Sequence, residues 1–203
     1  MGRRYHAAVV LALGLLACAT SPSGNELGGT DTGTAPPGSD SGQDASTADG
    51  GGDATPSGPT GGKRVFATSS QQAGDFGGIA GGDAICQAAA SAAKLGGTFK
   101  AWLSDGSTKA SARIAAVGPW SLVDGTPVFP LANVSSPLHD LDMDESGQTG
   151  QKGLVWTGTS PGGGAMIETC TGWSSRGVSG TSGYPHVTTQ WTDDGTGGSP
   201  CSP

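Results

Sequence analysis

The sequence predicts an α+β module of short strands, one clear helix and long loops, preceded by an extended N-terminal segment. Three observations predict it. Residues 63–203 hold all five tryptophans and three of the four cysteines, which is length and apolar material enough for one core. One window there has helical periodicity. The other apolar windows are short and set in glycine-rich stretches, which argues against a sandwich or a wound sheet.

The 203 residues include 38 glycines and 13 prolines, about a quarter of the chain, with a net charge of −7. Ten lysines and arginines are too few and too scattered for a polybasic nucleic-acid surface, so no nucleic-acid partner is expected. No stretch approaches the roughly 20 apolar residues of a spanning helix.

Arg3 and Arg4 precede an apolar run from Ala7 to Ala17, the pattern of a secretory leader over residues 1–17. Its end, Leu15-Leu16-Ala17-Cys18, resembles the lipobox of bacterial lipoproteins. The resemblance implies that Cys18 is the lipidated first residue of the mature chain, held to a membrane by acyl chains. With Ala19 rather than Asp after the cysteine, it implies a bacterial cell envelope location at the outer membrane. The alternative is an ordinary cleaved leader with an incidental cysteine.

Residues 18–62 read as a linker of Gly, Ser, Thr, Ala, Pro and Asp, with six carboxylates, no basic residue and Leu27 as its one large apolar side chain. Such a segment cannot bury enough surface to offset its ordering entropy, so it is expected to be a disordered tether. A flexible chain of that length spans about 35–40 Å.

Within residues 63–203, Lys63–Thr68 reads as an opening strand with Val65 and Phe66 in the core. Asp83–Leu95 reads as the helix, with Ile85, Ala89, Ala92 and Ala93 on one face, Asp83 near its start and Gly96-Gly97 ending it. Thr98–Leu103 alternates like a half-buried strand, and Ser121-Leu122-Val123 is a further short one. Three later strand-like segments are Val155-Trp156-Thr157, Gly172-Trp173 and Gln190-Trp191-Thr192.

Asp83-Ala84-Ile85-Cys86-Gln87, the run Gly97–Ser104, Val155-Trp156-Thr157-Gly158, Glu168-Thr169-Cys170 and Cys201 together resemble, in order and spacing, the endostatin-like fold of the C-type lectin-like group. The nearest likeness is to a bacterial lipoprotein family of unknown function. The resemblance covers nearly all of Lys63–Cys201. It implies that Cys170 pairs with Cys201, and that the helix cysteine, Cys86, pairs with a cysteine in a closing strand. The sequence ends at Pro203 without that strand, so Cys86 is expected to be an unpaired thiol. Pairing of Cys86 with Cys170 is the alternative.

Candidate chemistry is concentrated in two places. Asp140, Asp142 and Asp144 crowd carboxylates at alternate positions, which a hard cation such as Ca²⁺ would relieve. Glu145 stands where an EF-hand needs glycine, so the site would be of another kind, and a solvated acidic loop is the plainer reading. Trp191-Thr192-Asp193-Asp194 resembles the Trp-Asn-Asp run that carries Ca²⁺ and sugar in C-type lectins, without the companion Glu-Pro-Asn. The competing reading puts Trp191 in the core and Asp193-Asp194-Gly195 in a turn. His139 and His186 are isolated and lack zinc spacing.

No nucleophile elbow, phosphate loop or dinucleotide fingerprint is present. The expectation is therefore a non-enzymatic surface lipoprotein whose loops contact a glycan or an extracellular protein. Trp173, Trp191 and Asp193 are the binding residues, with Asp140, Asp142 and Asp144 as the cation candidates. A structural envelope protein without a ligand, or a hydrolase using Glu168 with Asp105 or Asp124, are the other readings.

Overall fold

Among the described residues, 14–21, 63–114, 119–129 and 137–202, the protein is mixed α/β with mostly strands and one clear helix in a computed structural model. The expected tether from residue 22 to 62 lies outside the described residues. Its first residues do not: Gly14–Ser21 forms a strand, β1, so the last four residues of the leader-like run, 14–17, and the start of the linker are part of the fold.

β1 is the central strand. On one side it pairs antiparallel with β2 (Lys63–Ala67), Cys18 opposite Phe66. On the other side it pairs parallel with β6 (Leu154–Trp156) and, further along, antiparallel with β3 (Thr98–Ala101). Outward from β2 lie β4 (Trp120–Ser121) and β5 (Pro127–Phe129), and outward from β6 lies β8 (Ser182–Gly183), giving the order β5-β4-β2-β1-β6-β8. β7 (Ser179–Gly180) and β9 (Ser199–Pro200) form a separate ribbon.

Strand alternation divides the core into two layers. Leu16, Cys18, Phe66, Phe99 and Trp156 face the helix side, with Cys86, Ala90, Leu103 and Trp173. Ala17, Ala19, Val65, Ala67 and Val155 face the other side, with Trp102, Trp120, Phe129, Leu141, Met143 and Trp191. The small Ala17 and Ala19 leave room there for three indole rings.

The helix α1 spans Gly78–Ala92, five residues earlier than the pattern predicts. Gly77 precedes it at φ +92°, a conformation glycine adopts at little cost. Phe76 and Ile79 pack onto the helix-side core layer, which moves the start upstream of Asp83. Asp83 is therefore inside the helix, where its carboxylate accepts from Ala101 N at 3.0 Å and pairs with Arg113 at 2.5 Å. That fastens α1 to β3 and to the short α2 (Ala110–Arg113). The buried row is Gly82, Cys86 and Ala90; Ile85 and Ala89 flank it and Ala92 is exposed. Gly82 permits the close approach, since a Cβ there would lie 3.1 Å from the Ala101 Cβ.

Two predicted strands are not strands. Cys170–Trp173 is a left-handed turn, with φ between +52° and +65° at all four residues. Gln190–Thr192 is a loop fastened by Tyr184 N to Gln190 O and by Thr157 Oγ1 to Thr192 O. In both places the indole packing that suggested a strand is carried by irregular backbone.

The cysteines also differ from expectation. Cys170 is bonded to Cys201, and Cys86 is bonded to Cys18. Cys86 is thus no unpaired thiol. Its partner comes from the N-terminal end of the sequence, on a central strand that supplies what a closing strand would. In this state the Cys18 sulfur carries no acyl chain, because it has one bond to give.

Candidate functional site

The acidic loop follows from where its carboxylates point. Asp140 is exposed, Asp142 half-buried and Asp144 only 4% exposed. Asp144 Oδ1 accepts from Ser146 N (2.9 Å), Ser146 Oγ (2.7 Å) and Gln148 N (3.0 Å), and Oδ2 accepts from Gln151 Nε2 at 3.2 Å. Asp142 Oδ2 accepts from Gly150 N at 3.0 Å. Burial works to raise the Asp144 pKa, and the hydrogen bonds from Ser146, Gln148 and Gln151 outweigh it, leaving the carboxyl below its ordinary value.

Among the described residues, no group of three or more His, Cys, Asp or Glu is placed to hold a metal ion. Asp140, Asp142 and Asp144, the residues expected to hold Ca²⁺, are not brought together as such a group. Alternate spacing would converge ligands only around a cation-shaped loop; here Asp142 and Asp144 turn inward to the loop's own N–H groups.

The same device recurs at other loops. Asp105 Oδ1 accepts from Ser107 N, Ser107 Oγ and Thr108 N at 2.7–2.9 Å. Burial raises its pKa, and these bonds outweigh it, so the net shift is downward. Asp124 binds Thr126 N and Oγ1, and Asp194 binds Thr196 N and Oγ1. Asp194 also accepts from Ser182 Oγ at 3.0 Å. Asp193 Oδ1 accepts from Gly195 N at 2.8 Å, closing a turn. Asp105, Asp124, Asp144 and Asp194 share the spacing Asp-x-Ser/Thr, an Asx-turn pattern legible in the sequence.

The tryptophans proposed for ligand contact are core residues. Trp173 is fully buried, stacks on Phe76 at 5.5 Å and donates its Nε1–H to Ser104 O at 2.9 Å. Trp191 is 4% exposed and packs between Trp102 and Phe129. The reason is area: each ring is among the largest apolar groups in a glycine-rich chain, and the core takes it. His139 is exposed; His186 is half-buried edge-on against Tyr184.

What remains open to solvent is a groove of about 430 Å³ between the end of α1 and the acidic loop. It is lined by Ala93, Leu95, Val123, Asp124, Glu145, Ser146 and Gly147. Leu95 and Val123 give it an apolar floor, with Asp124 and Glu145 as acidic walls. Glu145 is held by Ser69, whose N–H donates to Oε2 at 2.9 Å and whose hydroxyl donates to Oε1 at 2.5 Å. A second groove of about 270 Å³ lies beside the left-handed turn, lined by Ile167, Glu168, Thr169, Thr171, Val178 and Ser179. Of the carboxylates considered for a hydrolytic pair, Asp124 lines the first groove and Glu168 the second. The chain matches no protein-family model and no curated protein.

Proposed function

We propose that this protein is an exported, non-enzymatic recognition module of the endostatin-like, C-type lectin-like kind, presented at a bacterial cell envelope and contacting a glycan or an extracellular protein. Two disulfides in one small chain fit an oxidising, exported setting. Attachment by acyl chains on Cys18 is the reading of its lipobox-like context, and it applies to molecules whose Cys18 is not in the disulfide.

The observation that carries the recognition reading is the acidic, apolar-floored groove at Asp124 and Glu145. Carboxylates held in place can accept from sugar hydroxyls or basic side chains without first being ordered. The test is a glycan and extracellular-protein array probed with wild type and Glu145→Gln. A hit weakened at least tenfold in a variant of unchanged circular dichroism supports it. Equal binding by both proteins, or no hit, overturns it in favour of a structural envelope role.

A further inference from the structure

Cys18 stands at the meeting of two incompatible chemistries, and the fold makes the choice between them consequential. Leu16 and Cys18 are fully buried. Around them Leu16 N donates to Thr68 Oγ1 (2.9 Å), Leu16 O accepts from Thr68 N (2.8 Å) and Ala17 O accepts from Trp102 N (2.6 Å). Three strands, β2, β3 and β6, find their pairing partner in β1. Without it the sheet falls into unconnected pieces, and Phe66, Phe99 and Trp156 lose the strand they pack around.

From this we infer that Cys18 is a switch between a membrane-held and a released form, in which acylation and completion of the fold exclude each other in any one molecule. The inference rests on the lipobox reading of residues 15–18. In the released form the Cys18 and Cys86 thiols together lose two protons and two electrons to an envelope thiol-oxidising disulfide, forming the bond seen here. In the anchored form the Cys18 thiolate attacks a phospholipid glycerol carbon. A thioether forms, the phosphate headgroup leaves, and water then hydrolyses the Ala17–Cys18 peptide bond. That second route removes Gly14–Ala17 from β1, caps the sulfur and leaves Cys86 as a thiol.

The experiment uses the full chain expressed in a bacterium with lipoprotein processing. Membrane and soluble fractions are treated with protease, then measured by non-reducing intact mass with thiol counting. Expected is a protease-resistant soluble species that retains residues 14–21, with no free thiol and no acyl mass. The membrane species is expected to be acylated, to carry one free thiol and to be cut at least tenfold faster. Cys86→Ser, which blocks only the disulfide, is expected to move the protein to the acylated fraction. A protease-resistant wild-type chain acylated at Cys18 overturns the inference while leaving the anchor reading intact. Absence of acyl mass in both wild type and Cys86→Ser overturns the anchor reading and the switch together.

Discussion

Replacing Asp144 by alanine separates a loop organiser from a cation ligand. The wild-type carboxylate accepts four hydrogen bonds at 2.7–3.2 Å. Bonds to an ionised group contribute about 1.5–3 kcal/mol each, and donors able to regain water recover much of it. Ser146 and Gln148 are exposed, so their donors do recover, and the expected loss is about 2–3 kcal/mol rather than four full bonds. With a urea slope of about 2 kcal/mol per molar, the midpoint falls by about 1–1.5 M. Asp144→Asn keeps an oxygen for the three Oδ1 donors and is expected to lose under about 1 kcal/mol.

The pH dependence has a fixed sign. The folded carboxyl lies below its ordinary 3.8, so its contribution is full above that value and is lost as pH falls through the folded pKa. The gap between wild type and Asp144→Ala therefore narrows on acidification below pH 3.8. Equilibrium urea unfolding at neutral and acid pH, with and without Ca²⁺, measures all of this. Equal losses for Ala and Asn, or a wild-type midpoint that rises with Ca²⁺ and a variant midpoint that does not, would refute the reasoning.

Three further outcomes follow from the packing. Trp173→Phe is expected to cost about 2–4 kcal/mol, because it also leaves the buried Ser104 carbonyl without its donor. Trp191→Phe costs about 1 kcal/mol less, since its Nε1–H has no partner to lose; urea midpoints in the reverse order would contradict the assignment. Gly180→Ala places a Cβ 2.5 Å from Cys170 Sγ and 3.1 Å from the Trp156 ring, and should lower stability by about 1–3 kcal/mol. An unchanged melting temperature would show that this wall yields. Joint Cys170→Ala and Cys201→Ala replacement opens a loop of sequence separation 31; chain entropy puts the cost at about 3.7 kcal/mol, read as the difference in unfolding free energy from wild type.

The parts of the fold legible in the sequence are those with local signals. Val65, Phe66 and Ala67 are a continuous apolar run whose side chains alternate between the two core layers, and the helix is legible from Asp83 onward but not in its opening turn, residues 78–82. That turn was missed because Phe76 and Ile79 start it by tertiary packing, against glycines that have poor helical propensity. The largest difference is β1. An apolar run before a lipobox-like cysteine has the same composition whether a membrane or a sheet receives it, and nothing local marks Cys18 as the partner of a residue 68 positions away. At the candidate site the geometry agrees with the competing reading for Trp191 and Asp193-Asp194-Gly195, a core ring and a turn. Trp173 and Trp191 were chosen by residue type, which cannot distinguish an exposed ring from a buried one.

The aspartates carry the same lesson into function. A glycine-rich chain with little regular structure still has to satisfy its loop N–H groups, and short carboxylate side chains do that where no ladder is available. Oxygens of Asp105, Asp142, Asp144 and Asp194 are therefore committed to the loops that carry them, and negative charge in this sequence is partly a folding device. A carboxylate that recognises a ligand must keep lone pairs facing solvent. Asp140 is exposed and has no hydrogen-bond partner among the described residues, and Glu145 stands on the wall of the larger groove with one donor on each oxygen. An ionised carboxyl oxygen accepts two bonds, so Glu145 retains one acceptor site on each. By the same count Asp142, half-buried with a single bond to Oδ2, keeps acceptor sites as well, so the unused acceptor capacity of the acidic loop lies on Asp140, Asp142 and Glu145, while Asp144 is the one most fully committed to the loop.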